Sequence, residues 1–153
     1  MEKRTGTSEK KRGFVAVAAG YWGPVFLWMA IIFFLSSRHS VSVSEEYFIN
    51  FLFFKSLHII EYAVLYTLVV RAAYRTSDVR QKKSVYLRAY LITVLYAVSD
   101  ELHQSFVPSR TPQPRDVIID AIGAGFVWYY LSVQLPKAPK RLKQWAKQLA
   151  IPY

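Results

Sequence analysis

The amino-acid sequence predicts an all-α, polytopic membrane protein folded as a four-helix transmembrane bundle. Hydrophobic residues make up 53% of the chain and aromatics 16%, yet the formal net charge is +10. The two kinds of residue are segregated: long apolar runs alternate with short basic segments, as in spanning helices joined by cationic loops. Four apolar runs come near the ~20 residues that a helix needs to cross ~30 Å of hydrocarbon.

The N-terminal segment 1–13 reads as a basic tail, with Lys3, Arg4, Lys10, Lys11 and Arg12. Basic residues before an apolar run also open a signal peptide. The run from Phe14 to Leu35 is longer than the 7–15 apolar residues typical of a signal-peptide core, and Ser36-Ser37-Arg38 offers no clear cleavage site. A retained first helix over about 14–37 is expected. It contains Gly23-Pro24, which membrane helices tolerate when neighbours satisfy the freed carbonyl.

The second span is expected over about 53–73, with a short interfacial helix before it at Tyr47–Phe54. The third is expected over about 86–104 and ends in Ser99-Asp100-Glu101-Leu102-His103-Gln104. Three prolines between Pro108 and Pro114 forbid continuous helix into the fourth span, expected over about 116–135. Residues 14–135 therefore form one membrane domain, followed by a basic amphipathic tail over 136–153. In that tail Leu142, Trp145 and Leu149 share one helical face between Lys140, Arg141, Lys143 and Lys147. Such a face suits an anionic membrane surface.

Lysine and arginine set the expected topology. If the N-terminal tail, the loop between spans two and three, and the C-terminal tail share one side, that side holds sixteen of the 20 basic residues. Only Arg38, Lys55, Arg110 and Arg115 lie on the other. The positive-inside bias then places both termini in the cytoplasm of a multi-pass cell-membrane protein. Nucleic-acid binding does not fit, because the basic residues flank apolar runs and form no face of a polar domain. There are no cysteines, which excludes disulfides and thiolate metal sites.

Seven of the ten acidic residues fall on the poorly basic side: Glu45, Glu46, Glu61, Asp100, Glu101, Asp116 and Asp120. Helical spacing sorts the polar residues into stripes. Lys55, His58 and Tyr62 share one, with Glu61 beside it. Tyr96, Asp100, His103 and Gln104 share a second, with Glu101 about a quarter-turn away. Asp116, Asp120 and Gly123 share a third, and Arg110 and Arg115 lie in the connecting loop. Ionisable groups near hydrocarbon cost ~2.5–3.5 kcal/mol each at a helix centre, so they are expected to pair, face a wet cavity or work.

Asp100 and Glu101 stand at a helix C-terminus, where the dipole disfavours carboxylates. Asp116 is well placed at a helix start, whereas Asp120, a turn deeper, is no cap. The Gly123-Ala124-Gly125 run suits close helix packing. The catalytic candidates are His58, Glu61, Asp100, Glu101 and His103. The substrate-binding candidates are Lys55, Tyr62, Gln104, Arg110, Arg115, Asp116 and Asp120. Asp100 and His103, three apart, with Glu61, Asp116 and Asp120, also offer the donor types of a divalent-metal site for magnesium, manganese or zinc. The spacing is not diagnostic. Ser99 and Ser105 lie near His103, but no nucleophile-elbow context surrounds them.

At these residues the chain resembles the VanZ-like family of small membrane proteins, named for a protein linked to teicoplanin resistance. Three blocks carry the resemblance. One is Lys55-Ser56-Leu57-His58-Ile59-Ile60-Glu61-Tyr62-Ala63, followed by Arg71. The second runs Tyr96-Ala97-Val98-Ser99-Asp100-Glu101-Leu102-His103-Gln104-Ser105-Phe106-Val107-Pro108-Ser109-Arg110. The third is Arg115-Asp116-Val117, then Asp120 and Gly123. Together they cover roughly residues 21–135. The family position matched by Asp120 is often Asn, so this chain carries an extra negative charge there. The resemblance implies a four-helix membrane protein and a broad association with glycopeptide resistance, and no particular reaction.

Three readings follow. The polar cluster binds or acts on an anionic envelope lipid or cell-wall precursor, or it braces a non-catalytic membrane partner protein, or it lines a small oligomeric transporter.

Overall fold

The computed structural model of the chain describes residues 5–37, 46–77, 81–108 and 112–153. Among these residues it is all-α. The first three helices are α1 (Thr5–Ser36), α2 (Tyr47–Thr76) and α3 (Lys82–Gln104). Next comes α4 (Pro114–Tyr129), which continues through one π-helical stretch, Tyr130–Gln134, and a 3₁₀ turn, Leu135–Lys137. A short α5 (Lys140–Gln148) follows. Arg38, Glu45, Arg80, Arg110 and Met1–Arg4 lie outside the described residues.

Three stretches are long and apolar enough to cross a membrane: Ala16–Ser36, Phe48–Thr76 and Pro114–Lys137, of 21, 29 and 24 residues. The sequence expectation of four spans thus meets three that pass on length and apolarity. Helix α3 differs because Lys82, Lys83 and Arg88 open it and Asp100 and Glu101 close it. The interfacial helix expected at Tyr47–Phe54 is no separate element. It forms the first two turns of α2.

The four long helices alternate in direction. The middle of α1 meets the end of α2, where Trp22 Nε1 donates to Thr76 Oγ1 at 3.0 Å. The ends of α1 and α3 coincide, since Ser36 reaches Asp100. The starts of α2 and α4 coincide, since Lys55 reaches Asp116. Helix α2 is the central element, packed on α1, α3 and α4, while α3 also packs on α4.

The core is built from small and medium apolar side chains around tyrosines. Val25, Ile32, Leu65, Val69, Ala72, Ala89, Ala97 and Ala124 are fully buried with Tyr62 and Tyr66. Tryptophan and tyrosine bridge the helices by donating to helix carbonyls. Trp28 Nε1 bonds the Glu61 carbonyl at 2.9 Å, and Tyr96 Oη bonds that of Met29 at 2.6 Å. Buried tyrosine and tryptophan donors usually take such a partner.

The outer surface is apolar where a water-soluble protein would be polar. Phe26, Phe34, Leu95 and Phe126 are each more than 60% exposed. This is the surface of a chain solvated by lipid.

The two ends of the bundle differ in charge. At one, α1 and α3 end while α2 and α4 begin, and carboxylates gather. At the other, Tyr21 is flanked by the guanidinium groups of Arg71 and Arg75, at 6.0 and 5.3 Å from its ring centre. The C-terminal residues return to this basic end. Tyr86 Oη donates to the Pro152 carbonyl at 2.7 Å, and Lys82 Nζ donates to that of Tyr153.

Candidate functional site

The acidic end gathers polar side chains from all four long helices. Prolines set its floor: Pro108, Pro112 and Pro114 stop α3 and start α4, and Pro114 occupies the first turn of α4 where a missing N–H is harmless. The α3–α4 connection is fastened by Glu101, whose carboxylate accepts the backbone N–H of Gln113, the residue that caps α4. Glu101 therefore does what a capping carboxylate does, from a neighbouring helix.

Between α2 and α4, Lys55 Nζ lies 2.5 Å from Asp116 Oδ2, with both side chains 17% exposed. The N-terminal parts of two parallel helices are thus locked by one ion pair. Arg115 Nε lies 3.7 Å from Asp116 Oδ1, and its guanidinium sits 5.3 Å from the centre of the Phe51 ring. The Arg115 side chain is half exposed and forms the rim. One turn deeper, His58 Nδ1 is 3.6 Å from Asp120 Oδ1 and 3.9 Å from Glu61 Oε2. These distances are electrostatic contacts, too long for hydrogen bonds.

Between α1 and α3, Ser36 Oγ donates to Asp100 Oδ1 at 2.6 Å, and Gln104 Nε2 donates to Asp100 Oδ2 at 3.1 Å. Asp100 is only 3% exposed. Ser37 Oγ and His103 Nε2 are 3.0 Å apart, and the His103 ring lies against Phe33 with centroids 4.2 Å apart.

Three buried oxygens lack a hydrogen bond among the described residues: Asp116 Oδ1, Asp120 Oδ1 and the Tyr62 hydroxyl. Asp120 is 4% exposed and its Oδ1 has no hydrogen bond among the described residues. Tyr62 is fully buried and its hydroxyl has none either. A buried polar atom left without a partner costs ~1–3 kcal/mol. Gly123, one turn beyond Asp120, presses on the Ile59 backbone, which lets α4 lie close enough to α2 for His58 and Asp120 to meet.

The structure thus places Lys55, His58, Glu61, Tyr62, Asp100, Glu101, His103, Gln104, Arg115, Asp116 and Asp120 at one end, and Arg110 lies outside the described residues. Asp100 and His103 diverge onto different serines of α1. Among the described residues no group of three or more His, Asp or Glu is placed to hold a metal ion. Sequence reading missed Ser36, Ser37, Phe51 and Gln113. The signal for the serines was available: they end the first span at the depth where Asp100 and His103 end the third.

A family model, VanZ/LLP1, matches residues 21–134. The chain belongs to the VanZ/LLP1 family. The matched stretch runs from the first aromatic of the apolar part of α1 to the end of the π-helical stretch. It contains every polar residue just described at the acidic end of this VanZ/LLP1 chain. No curated protein and no solved structure matches it. Chemically, five carboxylates facing Lys55, Arg115 and two imidazoles make a set that can hold, give and take protons.

Proposed function

We propose that this VanZ-like protein is a four-span protein of the cell membrane. Its acidic end faces away from the cytoplasm and binds, or acts on, an anionic envelope lipid or cell-wall precursor. In this reading both termini are cytoplasmic, because sixteen of the 20 basic residues lie in the two terminal regions or on and around the connection between α2 and α3.

Helix α3 is the fourth span. Its exposed Leu87, Leu91, Leu95, Val98 and Leu102 make one continuous apolar stripe, which suits lipid contact once the charged residues sit at the two interfaces.

The observation that carries the site reading is the buried Asp120 oxygen that has no hydrogen bond among the described residues and lies 3.6 Å from the His58 ring nitrogen. Helix association alone would leave such an atom hydrogen-bonded or absent. Arg115, with Arg110 from the same loop, holds the anionic head group, since a guanidinium pairs bidentately with phosphate or carboxylate. Lys55, Tyr62, Gln104, Asp116 and Asp120 complete the binding set. His58, Glu61, Asp100, Glu101 and His103 are the acid–base groups. The family's link to teicoplanin resistance makes glycopeptide susceptibility the phenotype to measure.

The test compares teicoplanin susceptibility of cells carrying wild-type, His58→Gln and Arg115→Gln chains, with the amount of inserted protein measured in parallel. The expected result is loss of the phenotype at unchanged abundance. Full activity of both variants would refute the site.

A second reading is favoured by the Lys55–Asp116 and Ser36–Asp100 contacts, which join helices. If the cluster only braces a non-catalytic membrane protein, the same substitutions lower abundance first and the phenotype falls in proportion.

A further inference from the structure

At the basic end, opposite the site above, a cavity of about 380 Å³ opens between the start of α3, the end of α4 and the C-terminal residues. It is lined by Lys82, Lys83, Tyr86, Trp128, Ser132 and Tyr153. Its wall is rigid. Tyr86 is buried and its hydroxyl holds the Pro152 carbonyl, while Lys82 holds the Tyr153 carbonyl and lies 5.9 Å from the centre of the Tyr153 ring. Lys83 is exposed at the mouth.

Helix α5 adjoins this cavity through the same C-terminal residues. Its end is closed by two hydrogen bonds, Ile151 N–H to the Ala146 carbonyl at 2.8 Å and Ala150 N–H to that of Lys147 at 3.0 Å. These are the paired bonds of a Schellman turn, and they carry the chain from α5 back to Tyr86. Ala146 is buried against the bundle, which fixes the roll of α5. That roll leaves Leu142, Trp145 and Leu149 41%, 65% and 52% exposed in one stripe. Lys140, Arg141, Lys143 and Lys147 cover the rest of the surface.

We propose that the basic end is an anionic-phospholipid site, in which the cavity seats a phosphate head group at Lys83 and α5 lies in the adjoining leaflet. The proposal does not depend on the reading of the acidic end or on which way the chain is threaded. It needs only that α4 cross the bilayer, since α5 begins three residues after the apolar stretch ending at Lys137. An apolar stripe flanked by lysines at that depth meets acyl chains on one side and head groups on the other. Charge complementarity selects anionic lipid over zwitterionic. The aromatic walls, Trp128 and Tyr153, suit the interfacial glycerol region.

The experiment has two arms on the full chain. In the first, native mass spectrometry follows retention of phosphatidylglycerol against phosphatidylcholine, with inorganic phosphate as competitor. Wild type retains phosphatidylglycerol preferentially. Lys83→Gln cuts that preference about fivefold, the worth of one interfacial lysine, and Lys83→Arg restores it. In the second arm, the chain is reconstituted with lipid brominated near the head group. Quenching is compared between wild type and Trp145→Phe, a difference that isolates one of the four tryptophans. Trp145 is quenched, more strongly when phosphatidylglycerol is present.

Equal retention of both lipids would overturn the proposal, as would a Lys83→Gln variant with unchanged preference. Displacement of lipid by inorganic phosphate at like concentration would reassign the cavity to a soluble anion. Identical quenching in wild type and Trp145→Phe would place α5 in water.

Discussion

Gly123 has no room for a side chain because of Ile59: a β-carbon at 123 would lie 2.8 Å from the Ile59 carbonyl oxygen and 3.2 Å from its α-carbon. The obstacle is backbone of a neighbouring helix and cannot rotate away. Gly123→Ala must therefore push α4 off α2, at a cost of about 1–3 kcal/mol. Gly125 differs, since a β-carbon there meets only the Tyr90 ring edge at 3.7 Å, an ordinary contact. Gly125→Ala should be neutral or stabilising by up to about 1 kcal/mol, through helix propensity. Thermal unfolding of both variants in detergent checks the contrast. Equal effects would mean that α2 and α4 are not in backbone contact at Gly123.

Ser36 supplies a hydrogen bond to a carboxylate that is 3% exposed. Ser36→Ala leaves Asp100 Oδ1 without that donor and should cost about 1–3 kcal/mol. The loss should shrink in an Asp100→Asn background, where the oxygen no longer carries charge. A double-mutant cycle on unfolding measures the coupling, and additive losses would show that the pair does not interact.

The Lys55–Asp116 pair is partly buried, so its value lies between the ~0–1 kcal/mol of exposed pairs and the ~3–5 kcal/mol loss on breaking a buried one. Lys55→Gln should lower stability by about 1–2 kcal/mol on that scale. The charge-swapped chain, Lys55→Asp with Asp116→Lys, should recover part of it. Unfolding in detergent at low and high salt tests both. An unchanged Lys55→Gln chain would remove the pair as the lock between α2 and α4.

The Tyr86 hydroxyl fixes the C-terminal residues to the bundle through the Pro152 carbonyl. Tyr86→Phe removes the donor and should free the tail, so that protease trims residues after α5 several times faster while the bundle stays intact. Limited proteolysis read by mass spectrometry checks this. An unchanged trimming rate would show that the tail is held elsewhere.

Much of this site was legible in the sequence because it follows from helix periodicity. Asp100, His103 and Gln104 stand at spacings of three and four, and the structure finds them at one end of α3, with Gln104 bonded back to Asp100. The pairings between helices were not legible. That Lys55 meets Asp116 depends on the depth at which α4 slides along α2, which Gly123 and Ile59 set by contact. Ser36 and Ser37 looked like the polar end of a span, and only the shared depth of α1 and α3 gives them roles. Glu101 reads in the sequence as an acid–base candidate, and that its carboxylate also holds the Gln113 N–H depends on the path of the α3–α4 connection. The π-helical stretch after Tyr129 carries no sequence signal, since it differs from α-helix only by one carbonyl taken five residues on, Leu135 N–H to Tyr130. Helix α3 does not pass as a span on length and apolarity because it mixes an apolar stripe with charged ends and composition averages the two.

The placement of the polar end away from the cytoplasm can be tested with two cysteines. The natural chain has none, and Ser37 Oγ, just after α1, lies 3.0 Å from Nε2 of His103, in the last turn of α3. A Ser37→Cys, His103→Cys chain in intact cells, treated with a short thiol cross-linker that cannot pass the membrane, should yield an internally cross-linked product without cell lysis. Cross-linking only after the membranes are opened, or none at all, would contradict the account.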